Sequence, residues 1–136
     1  MSFDAFLYFD GDCRQAVAFY AEVFRVEPTQ VMTYGQNPAG AVEADRDRVL
    51  YASLPVFGSN LMMADHPTGS TLVRGDNVAL TIGGADADEI KRVFAGLAAD
   101  GRVDMALGPT FFSPLYGMVT DRFGIPWQVA LAPETS

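Results

Sequence analysis

The chain has few basic residues, one cysteine and one histidine. Its 136 residues include 9 Lys and Arg against 17 Asp and Glu, which gives a formal net charge of −8. Nucleic-acid binding depends on Lys and Arg side chains that neutralise phosphates, and anionic membrane surfaces attract the same residues. Since the sequence contains no basic cluster, we expect no nucleic acid and no membrane among its partners.

Long apolar runs and cysteine pairs are also absent from the sequence. No apolar run approaches the ~18 residues of a membrane-spanning helix. The segment from Met1 to Asp4 lacks the basic and then apolar pattern of a signal peptide. Cys13 has no second cysteine with which it could form a disulfide. Together these absences predict a cytoplasmic protein.

The composition favours a folded chain with a core. Apolar residues make up 49% of the chain and aromatic residues 12%. This is too apolar for a disordered chain, and the length suits a single domain. The first half predicts a strand at 3–9, a helix that begins after the N-cap candidate Asp12 and ends before Pro28, a loop at 35–48, and strands at 29–34, 49–56 and 59–63.

The second half repeats this order after a linker at 65–76. It predicts a strand at 78–82, a helix with Asp86 as its N-cap and Gly101 as its C-cap, a loop at 108–114, and strands at 102–106, 116–120 and 125–131. Residues 7–11 align with 80–84, and 57–58 align with 123–124. The sequence therefore predicts one α+β domain built of two strand–helix–three-strand halves, at about 3–66 and 76–132.

Three stretches make the sequence similar to a known family: residues 7–20, 58–65 and 116–127. The chain resembles the vicinal oxygen chelate superfamily, and within it the PhnB-like branch, which often carries the label of a 3-demethylubiquinone methyltransferase. The resemblance implies two βαβββ repeats that form curved mixed sheets around a cleft, the glyoxalase/bleomycin-resistance/dioxygenase fold, and a homodimer. Members of the superfamily isomerise, open epoxides, cleave catechols or bind drugs, so the fold implies no single reaction.

The resemblance also implies where a metal would be held. Metal-dependent members use four His or Glu ligands, and the matching positions in this chain are Ala5, Tyr51 or Ala52, Asn77 and Gln128. None of these is an imidazole, a thiolate or a carboxylate, the groups that Zn²⁺ and Fe²⁺ favour. We therefore expect no superfamily-type metal site and no cofactor, although a divalent metal at other positions stays an alternative.

The reactive side chains of the sequence are isolated from one another. His66 is followed by Pro67 and is predicted to be a solvated loop residue, while Cys13 has no His nearby and is predicted to be structural. Asp10 and Asp12 are expected in turn and cap roles. Asp121 is expected in a tight turn.

Two further segments are assigned no chemistry. Asp45 and Asp47 alternate with arginines, which predicts a solvated loop. Gly83 and Gly84 stand between a strand and a helix, but neither a G-x-G-x-x-G pattern nor a Walker lysine accompanies them. The sequence therefore lends no support to a nucleotide-type cofactor or to the methyltransferase label.

Mixed apolar, amide and hydroxyl side chains remain as the candidate site, which is a composition typical of small-molecule pockets. The predicted inward-facing residues are Tyr8, Tyr51, Met62, Asn77, Phe112, Tyr116, Trp127 and Gln128, with the 108–114 loop near the mouth. The leading hypothesis is a metal-free homodimer that binds a small, largely apolar molecule, and whose long linker would allow the halves to exchange between chains. The alternatives are a metal-dependent lyase, isomerase or dioxygenase, and a drug-sequestering protein.

Overall fold

The computed structural model describes residues 1–132 and divides the chain into two compact units, Met1–Val73 and Arg74–Ser136. Each unit contains one α-helix and one four-stranded sheet within the described residues. The first unit consists of β1 (Ala5–Phe9), α1 (Cys13–Phe24), β2 (Gln30–Thr33), β3 (Val49–Val56) and β4 (Ser59–Asp65), with short 3₁₀ turns at Tyr34–Gln36 and Glu43–Asp45. The second consists of β5 (Leu80–Gly84), α2 (Ala87–Ala98), β6 (Arg102–Gly108), β7 (Tyr116–Thr120) and β8 (Pro126–Leu131).

Both sheets have the same strand order. The N-terminal sheet runs β1-β4-β3-β2 and the C-terminal sheet runs β5-β8-β7-β6. In each sheet the first strand of the unit is parallel to the last, and the other pairs are antiparallel. The predicted βαβββ repeat is therefore confirmed. Neither α1 nor α2, nor any other helix in residues 1–132, is long and apolar enough to cross a membrane.

Glycines stand at matched turns of the two units. Phe57 and Gly58 join β3 to β4, and both have positive φ angles, 48° and 82°. A two-residue hairpin loop of this kind requires positive φ at both central residues, which glycine adopts without strain. Gly124, which lies in the longer turn between β7 and β8, has a φ of 85°. The predicted hairpin and its match in the second half are both confirmed.

The strand ladders correct the alignment of the first strands. Leu61 and Trp127 each lie three residues after a turn glycine. On the parallel neighbours, Leu61 pairs with Ala5 and Trp127 pairs with Leu80. Ala5 therefore corresponds to Leu80, and the sequence alignment that placed Leu7 over Leu80 is wrong by two residues. Side chains alternate with a period of two, so a shift of this size does not reverse the faces.

The start of α1 is capped by a residue distant in sequence. Asp12 occupies the N-cap position, but its side chain makes no capping hydrogen bond. Asp65, the last residue of β4, instead accepts from the backbone N–H of Gly11 at 2.7 Å and of Cys13 at 3.0 Å through Oδ1. Its Oδ2 accepts from Val49 N–H at 2.9 Å. Asp12 is therefore at the predicted N-cap position, but the capping bonds come from Asp65, which the sequence analysis assigned to the linker.

The two ends of α2 follow different rules. Asp86 caps the start, since Oδ1 accepts from the N–H groups two and three residues further along, as predicted. At the other end Asp100, and not Gly101, adopts the positive φ, at 59°. A Cβ at Gly101 would lie 2.5 Å from the carbonyl oxygen of Thr120. Glycine is therefore required at 101 for the close approach of the backbone, and the predicted C-cap is wrong.

Each helix covers one face of its own sheet. In the C-terminal unit a Cβ at Gly117 would lie 2.6 Å from Cε2 of Phe94, which places Gly117 on the face that packs against α2. In the N-terminal unit the buried strand residues Leu54, Leu61 and Met63 mark the corresponding face. The opposite face of each sheet is not covered by its own helix, and we call these surfaces the N-terminal and C-terminal open faces.

The segment between β2 and β3 is more ordered than a solvated loop. It contains both 3₁₀ turns, and Asp45 within it is buried. The carboxylate of Asp45 accepts from the backbone N–H of Thr68 at 2.9 Å and from its hydroxyl at 2.5 Å. Arg48 lies 3.7 Å from the same oxygen. The prediction of a solvated Asp45 is therefore wrong, because its partners lie in a distant part of the sequence.

Candidate functional site

The two open faces are described by alternate residues of β1, β4 and β3 in the first unit and of β5, β8 and β7 in the second. Strand pairing matches six positions on each face across the repeat, in two rows of three that run across the strands. On the N-terminal open face the residues are Phe6, Tyr8, Tyr51, Ser53, Met62 and Ala64. On the C-terminal open face they are Thr81, Gly83, Tyr116, Met118, Gln128 and Ala130.

Aromatic rings cluster on the N-terminal open face. The rings of Phe6 and Tyr8 stack with centroids 4.9 Å apart, and the ring of Phe6 lies 6.2 Å from that of Tyr51. Met62 lies on β4 between them, paired with Phe6. The structure thus brings together three of the predicted site residues, Tyr8, Tyr51 and Met62. Phe6 was missed, although its position two residues before Tyr8 on one strand was the signal for a shared face.

The C-terminal open face combines small and polar side chains. Gln128 pairs with Thr81 on one side and Met118 on the other. Ala130 pairs with Gly83 and Tyr116 in the next row. The structure therefore places the predicted residues Gln128 and Tyr116 on one face, beside small residues that sequence analysis did not select.

A fixed loop brings Phe112 to this face. The hydroxyl of Ser113, which is buried, lies 2.6 Å from the carbonyl oxygen of Leu131, and the backbone N–H of Ser113 donates to the hydroxyl of Thr110 at 3.0 Å. The ring of Phe112 then meets the ring of Tyr116 edge to face, with centroids 4.9 Å apart. No pattern in the sequence indicated that Ser113 anchors the loop.

Two predicted site residues lie elsewhere. Trp127 is buried at 4% exposure, and its Nε1 donates to Oδ2 of Asp121 at 2.8 Å. Adjacent strand residues point to opposite faces, so Trp127 faces α2 while Gln128 lies on the open face. Asn77 is exposed and precedes β5 by three residues. The expectation that these two residues lie on the open face is therefore wrong for Trp127. The structure places Asn77 before the first residue of β5, outside the sheet.

Several polar groups on the open faces have no partner in the part of the chain that the structure describes. These are the phenol groups of Tyr8, Tyr51 and Tyr116 and the amide of Gln128, none of which makes a hydrogen bond within residues 1–132. Phe6 and Tyr8 are 38% and 51% exposed despite their size. Exposed aromatic rings beside uncommitted polar groups are the composition of a ligand-binding surface.

The positions implied for a metal do not supply a ligand set. Ala5 pairs with the buried Leu61 and so lies on the helix side of the sheet. Of the alternatives at the second position, Tyr51 lies on the open face and Ala52 does not. Within residues 1–132, no group of three or more His, Cys, Asp or Glu side chains is placed to hold a metal ion. Ala5 and Asn77 are therefore not the inward-facing positions that the resemblance implied.

The surroundings of Cys13 and of His66 are not those of a catalytic Cys–His pair. Burial raises the pKa of the Cys13 thiol well above its usual range, and the nearby charges of Asp65 and Asp12 raise it further. The thiol is therefore protonated at neutral pH and is a poor nucleophile. His66 is not the solvated residue that we predicted, because its Nδ1 is buried without a hydrogen-bond partner in the described chain and its ring lies 5.1 Å from that of Tyr8.

Comparison with known proteins places the chain in a family. A family model described as 3-demethylubiquinone-9 3-methyltransferase matches residues 2–130. Protein YjdN from Escherichia coli (strain K12) is 30% identical over 145 aligned residues, which cover 98% of this chain and 97% of that protein. Both matches extend over nearly the whole chain.

Solved structures agree with this assignment. Protein PA1353 from Pseudomonas aeruginosa has a TM-score of 0.89 at 29% identity, and the match covers 98% of this chain and 99% of that one. A structure described as a PhnB protein from Bacillus cereus has a TM-score of 0.80 at 28% identity, covering 97% and 100%. The fosfomycin resistance protein FosX from Listeria monocytogenes, at 10% identity, a TM-score of 0.67 and coverage of 99% and 94%, shares the fold alone. The predicted glyoxalase/bleomycin-resistance/dioxygenase fold and the PhnB-like resemblance are confirmed.

Proposed function

The chain belongs to the family described as 3-demethylubiquinone-9 3-methyltransferase, and from this premise we propose that it binds a small, uncharged, largely apolar molecule on the open faces of its sheets. The observation that carries the proposal is the set of phenol and amide groups on those faces that make no hydrogen bond within residues 1–132. A molecule that covers the exposed rings would bury apolar surface and pair these groups.

The charges near the open faces favour an uncharged ligand. Arg102 and Asp104 on β6 form an ion pair with Nε and Oδ1 2.6 Å apart, and Thr120 donates to the other oxygen of Asp104 at 2.6 Å. Their charges therefore compensate each other. The twelve residues named above for the two open faces are all uncharged. A charged ligand would lose its hydration without gaining a partner of opposite sign there.

Binding without a superfamily-type metal is part of the proposal. It is supported by the residues that define the two open faces, none of which is a His, Cys, Asp or Glu. The methyl-transfer activity in the family description has no comparable support from these residues. The N–H groups at the start of α2, where an anionic cofactor group would bind, are engaged by Asp86.

The test is a binding screen read by amide chemical shifts. ¹⁵N-labelled protein is titrated with uncharged apolar compounds of one to three rings, and we expect shifts at the open-face positions of β1, β4, β7 and β8. Tyr51→Phe and Gln128→Leu should each weaken binding by roughly three- to tenfold, because each removes one hydrogen bond. Gln15→Leu, on the exposed side of α1, is the matched control.

Metal dependence is examined in the same screen. Dialysis against a chelator, followed by addition of Zn²⁺ or Mn²⁺, should leave the affinities unchanged. If binding appeared only after a metal was added, the metal-independent part of the proposal would be wrong. If no compound produced shifts on either open face, the binding function itself would be wrong.

We also propose that the protein is a cytoplasmic homodimer. The edge strand β6 supports the dimer, since Val103 and Met105 on it are 49% and 46% exposed, and apolar edge strands favour pairing with another chain. Exchange of halves between copies stays a prediction. Light scattering over micromolar to millimolar concentrations tests the dimer, and a constant monomer mass would refute it. Cell fractionation tests the location.

A further inference from the structure

We propose that the C-terminal open face takes one uncharged aromatic ring with a polar substituent over Gly83 and Ala130. We call this position the recess, because Gly83 has no side chain and a Cβ built there meets no atom within 4 Å. The inference rests on the proposed function, since it names the site and the chemical class of the ligand.

The matched positions differ at one point of the row. Since Ala5 corresponds to Leu80, Tyr8 corresponds to Gly83. The rest of the row is the same in both sheets: an alanine on the last strand of the unit, and a tyrosine on the strand beside it, Tyr51 or Tyr116. At this position the N-terminal sheet therefore carries the phenol ring of Tyr8, whereas the C-terminal sheet has only the hydrogen atom of Gly83.

The space above Gly83 is open. A Cβ built at Gly83 has no atom within 4 Å, and the residue is exposed. Its backbone does not have a positive φ, so the glycine is not required by the conformation of the strand. Residues on one face of a strand repeat every ~6.6 Å, and neighbouring strands lie ~4.8 Å apart. A floor of Gly83 and Ala130 therefore has roughly the area of a single ring.

Aromatic side chains stand beside this floor. Tyr116 is the cross-strand neighbour of Ala130, and Phe112 meets Tyr116 edge to face. The loop that carries Phe112 is held to the end of β8 through Ser113. Aromatic rings prefer edge-to-face or offset partners, and such pairs contribute beyond the area that they bury. A planar aromatic ligand gains these contacts, whereas a saturated ring of similar size gains only apolar burial.

Polar groups border the recess on its other side. Gln128 and Thr81 form the next row, and neither side chain makes a hydrogen bond within residues 1–132. The amide of Gln128 can both donate and accept, so it suits a hydroxyl, carbonyl or amide substituent on the ring. The row contains no charged residue, which excludes a specific partner for a carboxylate or ammonium group.

Three probes of one ring test the ligand class. Phenol, cyclohexanol and benzoate are titrated into ¹⁵N-labelled full-length protein, and the shifts are mapped to residues. We expect phenol to shift the amides of Gly83, Ala130 and Tyr116, and to bind at least about tenfold more tightly than cyclohexanol or benzoate. Equal binding of phenol and cyclohexanol at these residues would contradict the aromatic class.

A filled recess tests the site. Gly83→Phe places a ring where the matched strand carries Tyr8. It should weaken phenol binding by about tenfold or more, while the amide spectrum remains that of a folded protein. Gln15→Phe, at an exposed position of α1, adds the same side chain away from both open faces and should leave binding unchanged. Gly83→Ala, whose added methyl meets no atom, provides a milder variant if the phenylalanine disturbs the fold.

The outcomes separate this inference from the proposed function. Phenol shifts confined to Phe6, Tyr8 and Tyr51 would overturn the recess and leave binding on an open face intact. Phenol affinity that survives Gly83→Phe and Gly83→Ala would also overturn it. An absence of phenol shifts, while other uncharged compounds of the screen shift an open face, would reject the ligand class alone.

Discussion

The indole of Trp127 and the carboxylate of Asp121 form a buried hydrogen bond in the C-terminal unit, with Nε1 and Oδ2 2.8 Å apart. The other oxygen of Asp121 accepts from the backbone N–H of Phe123 at 2.9 Å and of Ile125 at 3.1 Å. One carboxylate therefore closes the turn between β7 and β8 and satisfies a donor in the core beneath it.

Replacement of Asp121 should destabilise the protein. Asp121→Ala leaves the indole and two backbone donors without this acceptor, and we expect the free energy of unfolding to fall by about 3 kcal/mol. Urea unfolding followed by the fluorescence of Trp127, the single tryptophan, measures the change. Asp76→Ala, an exposed residue of the same unit, should stay within ~0.5 kcal/mol of the parent. Equal effects of the two variants would contradict the role of the carboxylate.

Two glycines on opposite faces of the C-terminal sheet should respond differently to alanine. At Gly117 the new methyl would lie 2.6 Å from Phe94, and we expect a loss of about 1–3 kcal/mol in unfolding free energy. At Gly83 the methyl meets nothing, and the lower entropy of the unfolded alanine chain should raise stability by up to about 1 kcal/mol. Thermal unfolding of both variants tests the assignment of faces. A loss of stability in Gly83→Ala would contradict the assignment of Gly83 to the open face.

The thiol of Cys13 should resist modification in the folded protein. It is fully buried, and burial raises its pKa far above neutrality. We expect no reaction with iodoacetamide at neutral or mildly alkaline pH, and one equivalent of reaction after unfolding in urea, both measured by mass spectrometry. Gln15→Cys, on the exposed side of α1, is the control and should add one reactive thiol. Rapid labelling of Cys13 in the native parent would contradict its burial.

The contact between Thr68 and Asp45 should make part of the stability pH-dependent. The hydroxyl and N–H of Thr68 lower the pKa of the Asp45 carboxyl. Its contribution is therefore present above the ordinary carboxyl pKa of ~3.9 and is lost as the pH falls through the lowered value. Thr68→Val should be less stable than the parent at about pH 7, and this difference should shrink at about pH 2. Urea unfolding at both pH values measures it, and a constant difference would oppose the assignment.

Periodic patterns and turn residues in the sequence predicted most of the strands and both helices. The strand at Val49–Val56 and the strand at Tyr116–Thr120 were predicted with the bounds that the structure shows. Both are followed by residues typical of turns, Gly58 after the first strand and Asp121 after the second. The start of β5 was predicted two residues early, at Val78, because an exposed valine outside the sheet looks the same in sequence as one inside it.

The faces of the strands were harder to predict than the strands. Trp127 and Gln128 are neighbours on β8 and cannot share a face, yet both have side chains that suit a binding site. The sequence does not show that the indole has a buried acceptor in Asp121, which lies across the turn. Gly83 was considered only as part of a nucleotide-binding loop and not as part of the open face. A residue without a side chain shows its place in a site only when its neighbours in the fold are known.

The carboxylate of Asp65 has a consequence for the order in which the chain is made. Its two oxygens accept hydrogen bonds from backbone N–H groups that lie 16, 52 and 54 residues earlier in the sequence. Until residue 65 has left the ribosome, the first turn of α1 and the start of β3 lack this shared anchor. The N-terminal unit therefore cannot complete these bonds until nearly all of it has been synthesised, because its last strand supplies the acceptors for the start of its first helix.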